Sequence, residues 1–284
     1  MKILLTGANG QVGYELERSL QGLGEVVALD RRRMDLADLD QVRDVIRAVR
    51  PGLIVNPAAY TAVDQAETEP ELAHRINAAA PAVMAAEARA LGAPLVHFST
   101  DYVFDGTKQG AYLETDATNP INVYGASKLA GEHAIAASGA QHLILRTSWV
   151  YGMHGKNFLL TMLRLAQERE ELRVVADQHG APTWSRTIAD TTSLILSQAR
   201  GQDGWWERHG GIYHLSAQGQ TTWCGFTQAI VAASGASCRV TPISAAQYPV
   251  AAPRPANSVL SSARLLGRFC ALPTWDQALR LCMK

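Results

Sequence analysis

The chain has 284 residues, of which 47% are hydrophobic, and its 26 basic residues balance its 26 acidic ones. This size allows one large or two unequal folded domains, and the balanced charge excludes the basic surface typical of nucleic-acid binding. It also excludes a polybasic membrane patch, and no apolar run approaches the roughly 18 residues that span a bilayer.

Short aliphatic runs and helical segments alternate through the first half of the chain. The aliphatic runs are 2–6, 25–30, 53–58, 94–99 and 142–147, and the clearest helical segments are 10–20, 39–49, 71–91 and 124–137. This alternation predicts an α/β fold, a Rossmann-type doubly wound parallel sheet with helices on both faces. The first apolar run is too short for a signal peptide, so we expect a cytoplasmic protein.

Three glycines follow the first predicted strand in the stretch TGANGQVG: Gly7, Gly10 and Gly13. Gly7 permits a tight turn, Gly10 allows backbone to approach a pyrophosphate, and Gly13 allows the helix to pack close to the strand. The spacing is GxxGxxG rather than GxGxxG. A plain strand–turn–helix connection would also explain three glycines, so the motif alone is weak.

Asp30 ends the second predicted strand about 20 residues after Gly10, where a carboxylate can accept hydrogen bonds from an adenosine ribose. It favours NAD, because a carboxylate repels a 2′-phosphate. The three arginines that follow, 31–33, favour a phosphate there, although a solvated charged loop would look the same. The choice between NADH and NADPH stays open.

The stretch STDYVFDG places polar side chains at the carboxyl end of the fourth predicted strand. Neighbouring strand residues point to opposite faces, so we expect Thr100 to face a site and Ser99 to satisfy nearby backbone groups. Tyr124 and Lys128 share one face of the next helix. An ammonium near a phenol is expected to lower its pKa from about 10, which makes the phenol a proton donor near neutral pH.

The pattern loosens after about residue 150. Helical segments at 157–170 and 187–199 and a strand at 211–216 precede a turn-rich tail at 236–273. We expect an NAD(P)-binding Rossmann domain over 1–150, to which later segments return, and a smaller, mainly substrate-binding lobe over 151–284. The cysteines lack CxxC spacing and predict reduced packing residues and no metal site: Cys224, Cys238, Cys270 and Cys282.

Motifs along nearly the whole chain resemble the extended short-chain dehydrogenase/reductase superfamily. They are LLTGANGQVGYEL, IVNPAAYTAVDQAE, HFSTDYVFDG, NVYGASKLAGE, LRTSWVYG, DQHGAPT and RPANS. The first and fourth are superfamily-wide, whereas STDYVFDG, RTSWVYG and DQHGAPT resemble its nucleotide-sugar reductases more specifically. The resemblance implies an oxidoreductase that uses NADPH or NADH to reduce the C4 keto group of a dTDP-linked 4-keto-6-deoxy-L-mannose.

The same resemblance implies roles for individual residues. Thr100, Tyr124 and Lys128 would be catalytic: Tyr124 as proton donor, Lys128 lowering its pKa and holding the nicotinamide ribose, and Thr100 orienting the keto oxygen. The expected substrate contacts are Thr100, Asp101, Trp149 and Arg254. The expected cofactor contacts are Gly7, Gly10, Gln11, Val12, Gly13, Asp30, Asp35, Leu36, Ala59, Tyr60, Thr61, Tyr124 and Lys128.

Other functions fit parts of the pattern. A non-catalytic, NADP-binding regulatory subunit similar to the methionine adenosyltransferase beta subunit would keep the cofactor site, although the intact catalytic trio argues against it. A reductase or epimerase of another nucleotide sugar is a third reading. The expected partner is a nucleotide-sugar substrate, and a homodimer stays open.

Overall fold

A six-stranded parallel sheet forms the centre of the molecule, in a computed structural model that describes all residues from 1 to 284. The strands in chain order are β1 (Lys2–Leu5), β2 (Glu25–Ala28), β3 (Leu53–Asn56), β4 (Leu95–Thr100), β5 (His142–Thr147), β6 (Val150–Tyr151), β7 (Glu171–Val175), β8 (His179–Gly180), β9 (Thr183–Trp184), β10 (Gly211–His214), β11 (Thr221–Thr222) and β12 (Arg239–Ile243). The central sheet has the order β10-β5-β4-β3-β1-β2. The predicted α/β fold with a doubly wound parallel sheet is confirmed.

Helices cover both faces of this sheet. In chain order they are α1 (Gln11–Ser19), α2 (Leu39–Val49), α3 (Val63–Ala66), α4 (Pro70–His74), α5 (Ala80–Leu91), α6 (Val123–Ala137), α7 (Phe158–Glu168), α8 (Ser185–Ala199), α9 (Trp205–His209), α10 (Trp223–Ser234), α11 (Ala263–Arg268) and α12 (Trp275–Cys282). Leu5 belongs to one buried cluster with α1 and α8, and Leu4 belongs to a second with α2 and α5. Because successive strand residues face opposite ways, these clusters are the two sides of the core.

The predicted helix over 71–91 is not continuous. One turn of π-helix, Arg75–Ala79, separates α4 from α5. Here α6 lies very close, since a Cβ on Gly131 would come within 2.2 Å of the Asn77 carbonyl oxygen. The π turn therefore redirects the Asn77 side chain while α6 packs directly on its backbone.

The second half of the chain both completes the sheet and builds a lobe beside it. Strand β10 pairs with β5 in the central sheet, while β7 and β12 form a separate two-stranded parallel sheet. The tail was expected to be irregular, yet it contains the strand β12, which the sequence did not predict. None of the helices combines the length and the hydropathy that a bilayer-spanning segment requires.

A buried ion pair joins α6 to the sheet. The Arg146 guanidinium donates two hydrogen bonds to the Glu132 carboxylate, at 2.9 and 2.7 Å, and the two side chains are 3% and 1% exposed. A two-pronged contact of this kind fixes the rotation of α6 as well as its distance from β5. The helix that carries Tyr124 and Lys128 is held in register by this pair.

Replacing Glu132 with alanine should destabilise the protein by about 3–5 kcal/mol, because the Arg146 charge would stay buried without a partner. Urea unfolding followed by circular dichroism measures the loss. The matched control is Glu168→Ala, which breaks the exposed Arg164–Glu168 pair and should cost less than about 1 kcal/mol. Equal losses in the two variants would contradict a structural role for the buried pair.

Candidate active site

A pocket of about 600 Å³ opens at the carboxyl ends of the central strands, the edge where open α/β sheets bind ligands. Every residue expected to contact a cofactor lines it. Those residues are Gly7, Gly10, Gln11, Val12, Gly13, Asp30, Asp35, Leu36, Ala59, Tyr60, Thr61, Tyr124 and Lys128. The fold thus brings together positions spread over more than a hundred residues of sequence.

The glycine turn after β1 has the shape that a dinucleotide pyrophosphate requires. Gly7 has φ of +58°, and a Cβ on Gly13 would lie 2.1 Å from the Gly7 carbonyl oxygen. Gly10 precedes α1 without a capping side chain, so the first N–H groups of the helix are free for a ligand. The Gln11 Oε1 atom is buried and has no hydrogen-bond partner. The turn fits a bound dinucleotide.

Asp30 closes its own turn as well as lining the pocket. Its Oδ1 accepts hydrogen bonds from the backbone N–H groups of Arg32 at 3.1 Å and Arg33 at 3.2 Å. Of the three arginines only Arg31 lines the pocket, with its Nε 3.5 Å from the Asp35 carboxylate. A carboxylate and a guanidinium therefore share this rim, which suits either a ribose hydroxyl pair or a phosphate.

Asn77, which the sequence does not single out, fixes the loop after β3. Its Oδ1 accepts from the Tyr60 N–H at 2.8 Å, and its Nδ2 donates to the Tyr60 carbonyl at 3.0 Å and to Ser127 Oγ at 2.9 Å. Tyr60 OH donates to Glu69 at 2.7 Å. The side-chain amide thus ties one wall of the pocket to α6. The sequence pattern predicts a continuous helix here, so it predicts neither the π turn nor this role of Asn77.

The loop over 152–157 closes on the glycine turn and was not predicted to do so. His154 Nε2 lies 3.2 Å from the Asn9 carbonyl oxygen, and its ring stacks on Tyr14 with centroids 3.8 Å apart. Lys156 lines the pocket and brings a further positive charge to it. The sequence gives no local signal for this contact, because His154 and Asn9 are 145 residues apart.

The start of α6 sets Tyr124 against the end of β4. The Asn122 side chain caps the helix by accepting from the Gly125 N–H at 2.8 Å, and its amide donates to Pro253 O at 2.9 Å. A Cβ on Gly125 would lie 2.1 Å from the Tyr102 carbonyl oxygen. Glycine is therefore required here for Tyr124 to reach the polar cluster at 99–101.

The expectation that Lys128 lowers the pKa of Tyr124 stays a prediction, because burial acts on this phenol in the opposite direction. Burial raises the pKa of Tyr124 to about 12, although the Thr100 hydroxyl beside it opposes this shift. Lys128 turns its ammonium elsewhere, donating to the Phe98 carbonyl oxygen at 2.7 Å and facing His97 Nε2 at 3.1 Å. Burial also lowers the pKa of Lys128 to about 8.

One hydroxyl at the strand ends differs from expectation, and a second was not predicted. Ser99 was expected to satisfy local backbone groups, yet its Oγ is buried, has no partner and belongs to a residue that lines the pocket. The Thr147 hydroxyl, on the neighbouring strand, is also buried without a partner, and Thr147 also lines the pocket. Thr100 donates to Asp101 Oδ1 at 3.0 Å and accepts from the Tyr102 N–H at 3.2 Å, and its hydroxyl lies beside the Tyr124 phenol as expected. Unpartnered hydroxyls facing a pocket are places where a ligand completes the hydrogen bonding.

The residues expected to contact substrate do not line this pocket. Burial raises the pKa of Asp101 to about 7. Trp149 adopts φ of +46°, stacks on Trp223 at 3.5 Å and covers Gly180, where a Cβ would lie 2.3 Å from its ring. Trp223 and Gly180 were not predicted. The stack on Trp223 and the close contact with Gly180 hold the indole in one orientation.

Arg254 is paired in the structure. Its guanidinium donates to Asp64 Oδ2 at 2.8 Å and to the Ala252 carbonyl at 3.1 Å, and it lies 5.9 Å from the centre of the Tyr102 ring. Tyr102 in turn meets Tyr124 edge to face, with centroids 5.9 Å apart. The RPANS segment therefore reaches the site through Tyr102, and a ligand diphosphate would compete with Asp64 for Arg254.

Comparison with known proteins points to one group. The family model described as RmlD substrate binding domain matches residues 1–284. The chain is 51% identical to a dTDP-4-dehydrorhamnose reductase of Burkholderia thailandensis, over all of this chain and 98% of that protein. It is 44% identical to a protein of the same name from Escherichia coli K12, over 97% of this chain and 95% of that one.

A solved structure agrees. The crystal structure of a dTDP-4-dehydrorhamnose reductase from Bacillus anthracis, in complex with NADP, superposes with a TM-score of 0.92 at 37% identity. It covers 99% of this chain and 98% of that chain. The similarity thus extends over the whole of both proteins.

Gly13→Ala should weaken NADPH binding and stability together, because the new methyl group would overlap the Gly7 carbonyl and push α1 away from the turn. Overpacking of this kind costs about 1–3 kcal/mol. NADPH fluorescence titration and thermal unfolding measure the two effects. Gly22→Ala is the control, since no atom lies within 4 Å of its Cβ position. Wild-type affinity in Gly13→Ala would refute the close-packing argument.

Proposed function

The chain belongs to the RmlD substrate-binding-domain family, and from this premise we propose that it is a dTDP-4-dehydrorhamnose reductase. It reduces the C4 keto group of dTDP-4-dehydro-6-deoxy-L-mannose to give dTDP-L-rhamnose, with NADPH or NADH as cofactor. The observation that carries the proposal is one of geometry. Tyr124 and Lys128 line the same pocket as the glycine turn, with the polar end of β4 directly beside them.

The chemistry divides between the cofactor and the protein. The bound reduced nicotinamide supplies a hydride to the keto carbon. The oxygen then gains negative charge, and Tyr124 donates the proton that neutralises it. A pKa of about 12 suits this direction of reaction, because the phenol keeps its proton at neutral pH and a forming alkoxide is a stronger base than a phenolate.

Thr100 and Lys128 support the donor in different ways. We assign Thr100 the task of orienting the keto oxygen beside Tyr124, since its hydroxyl is held between Asp101 and the Tyr102 N–H. Lys128 is fully buried with its ammonium at the pocket wall, where it favours developing negative charge and can donate to a ribose hydroxyl. Both roles use contacts that the fold has already fixed.

The substrate lobe would complete the site. We assign the sugar contacts to Asp101 and Trp149, because a flat indole suits the apolar face of a deoxyhexose. Arg254 would serve the diphosphate after release from Asp64. On this division, residues within 1–150 bind the cofactor together with Gly155 and Lys156, and the lobe over 151–284 is mainly substrate-binding.

Location and assembly follow as smaller proposals. All four cysteines are free, which suits the reducing cytoplasm. We propose a homodimer as the assembly, which sedimentation of the full chain tests.

The decisive assay is incubation of the purified protein with dTDP-4-dehydrorhamnose and either NADPH or NADH, followed by loss of reduced-nicotinamide absorbance. We expect turnover and formation of dTDP-L-rhamnose. No turnover together with one stoichiometric protein partner would favour a regulatory subunit. Cofactor that stays bound through purification, with no consumption of added NADPH, would favour an epimerase.

Tyr124→Phe should lower kcat by at least about a hundredfold, because general-acid catalysis contributes factors of this order. The steady-state rate with saturating cofactor measures the effect. Tyr213→Phe is the control, since this phenol on β10 donates to the carbonyl of His209, the last residue of α9, and does not line the cofactor pocket. Full activity in Tyr124→Phe would remove the proton-donor assignment.

Arg31→Ala should weaken NADPH binding by roughly tenfold and leave NADH nearly unchanged, because NADPH alone carries a 2′-phosphate with which a guanidinium on this rim can pair. Dissociation constants for both cofactors give the result. Arg43→Ala, on the exposed face of α2, is the control. Equal weakening of both cofactors would show that Arg31 does not discriminate between them.

A further inference from the structure

A chain of buried polar side chains runs behind Lys128, across three strands. Lys128 Nζ faces His97 Nε2 at 3.1 Å, and His97 Nδ1 lies 3.0 Å from Asn56 Nδ2. Asn56 Oδ1 accepts from Thr6 Oγ1 at 2.6 Å. None of the four side chains belongs to a residue more than 2% exposed. The chain is sealed from solvent except where Lys128 meets the pocket.

The position of His97 follows from strand register. Asn56 on β3 pairs with His97 on β4, so their side chains lie side by side on one face of the sheet. Thr6 follows β1, the next strand in the sheet. Lys128 reaches this face from α6, and its second hydrogen bond, to Phe98 O, is on the same strand as His97. His97 is the only side chain that lies within hydrogen-bonding distance of the ammonium.

The number of protons in this chain is limited. Burial and the charge of Lys128 lower the pKa of His97 well below its ordinary value, so the imidazole is neutral and has a single N–H. When the Asn56 amide N–H₂ faces Nδ1, the imidazole proton sits on Nε2 and points at Lys128, which must then be a neutral amine. When the Asn56 carbonyl faces Nδ1 instead, Nε2 is free to accept from the ammonium. The charge of Lys128 is thereby coupled to the His97 tautomer.

We propose that His97 is a positioning residue: its Nε2 accepts from the Lys128 ammonium when the Asn56 carbonyl oxygen faces Nδ1, and this coupling sets the pH at which Lys128 loses its charge. The inference rests on the proposed reductase activity and adds a residue to its machinery. His97 touches neither substrate nor reacting atoms, and it acts through Lys128. A histidine on a buried strand would ordinarily be interpreted as a packing residue. The role proposed here for His97 is different, because it acts on Lys128.

The other ionisable groups around Lys128 belong to three elements. Glu132, one turn further along α6, raises the pKa of Lys128 but is itself bound to Arg146 of β5. Tyr124 on α6 is neutral, and Asp101 lies at the end of β4 beside Tyr124. Burial outweighs Glu132, and the pKa of Lys128 is lowered to about 8. The ammonium therefore exists below this pH and is lost above it, so activity should fall on the alkaline side.

Two substitutions of His97 separate the hydrogen bond to Lys128 from simple packing. In His97→Gln the terminal amide reaches the place of Nε2 and can still accept from Lys128. In His97→Asn the amide reaches only the place of Nδ1, next to Asn56. His133→Asn, on the exposed face of α6, is the control. Thermal unfolding and NADPH binding identify any variant that does not fold.

The expected result is a shift in the pH profile of kcat. His97→Asn should move the alkaline limb down by about one pH unit, since the ammonium loses a charge-assisted hydrogen bond, which lowers turnover about tenfold on that limb. His97→Gln should stay near the wild-type profile. Coincident profiles for wild type and His97→Asn would overturn the proposal, whereas an inactive wild-type protein would refute the reductase function instead.

A measurement without turnover tests the same coupling. In cofactor-free protein labelled with ¹⁵N-histidine, the His97 ring nitrogens should change between the two tautomer patterns with a midpoint near pH 8. Loss of the signal in His97→Gln assigns it, and Lys128→Met should abolish the titration. Ring nitrogens of His97 that stay constant from about pH 6 to about pH 10 would refute the coupling, whatever the activity of the protein.

Discussion

The close approach of α6 to the end of β4 and to the π turn is the constraint on which the site depends. Cβ atoms on Gly125 and Gly131 would lie 2.1 and 2.2 Å from backbone carbonyl oxygens, so any side chain there would push the helix outward. The Glu132–Arg146 pair then fixes the rotation of the helix. Tyr124 and Lys128 occupy its first turns, and they reach the pocket only because the helix backbone lies so near.

That approach carries an energetic cost, because it buries an ammonium, an imidazole and several hydroxyls. Burial of polar groups is tolerated where partners exist, and the row from Thr6 to Lys128 supplies a partner at each step. At the pocket wall, in contrast, the hydroxyls of Ser99 and Thr147 have no hydrogen-bond partner. The interior of the network is thus complete without ligand, while its open end is left for a bound molecule to satisfy.

Long-range contacts join the two halves of the chain around this centre. Asn122 binds the Pro253 carbonyl, Arg254 pairs with Asp64, and His154 reaches the glycine turn. Each contact links a cofactor-side element to a segment after residue 150. The two regions therefore share one site, and the sheet edge that receives the dinucleotide also presents the polar end of β4 to the sugar side.

The sequence by itself determined the strand–helix alternation, the glycine turn and the Tyr124–Lys128 spacing, because each depends on neighbours within a few residues. Its motifs also indicated the family to which the chain belongs, and the residues expected around a cofactor do line one pocket. Tertiary structure alone decided that Lys128 faces His97 rather than Tyr124, that Ser99 rather than Thr100 lines the pocket, and that Asn77 clamps the wall. Those outcomes depend on strand register, a π turn and helix approach, which bring together residues that local pattern cannot relate.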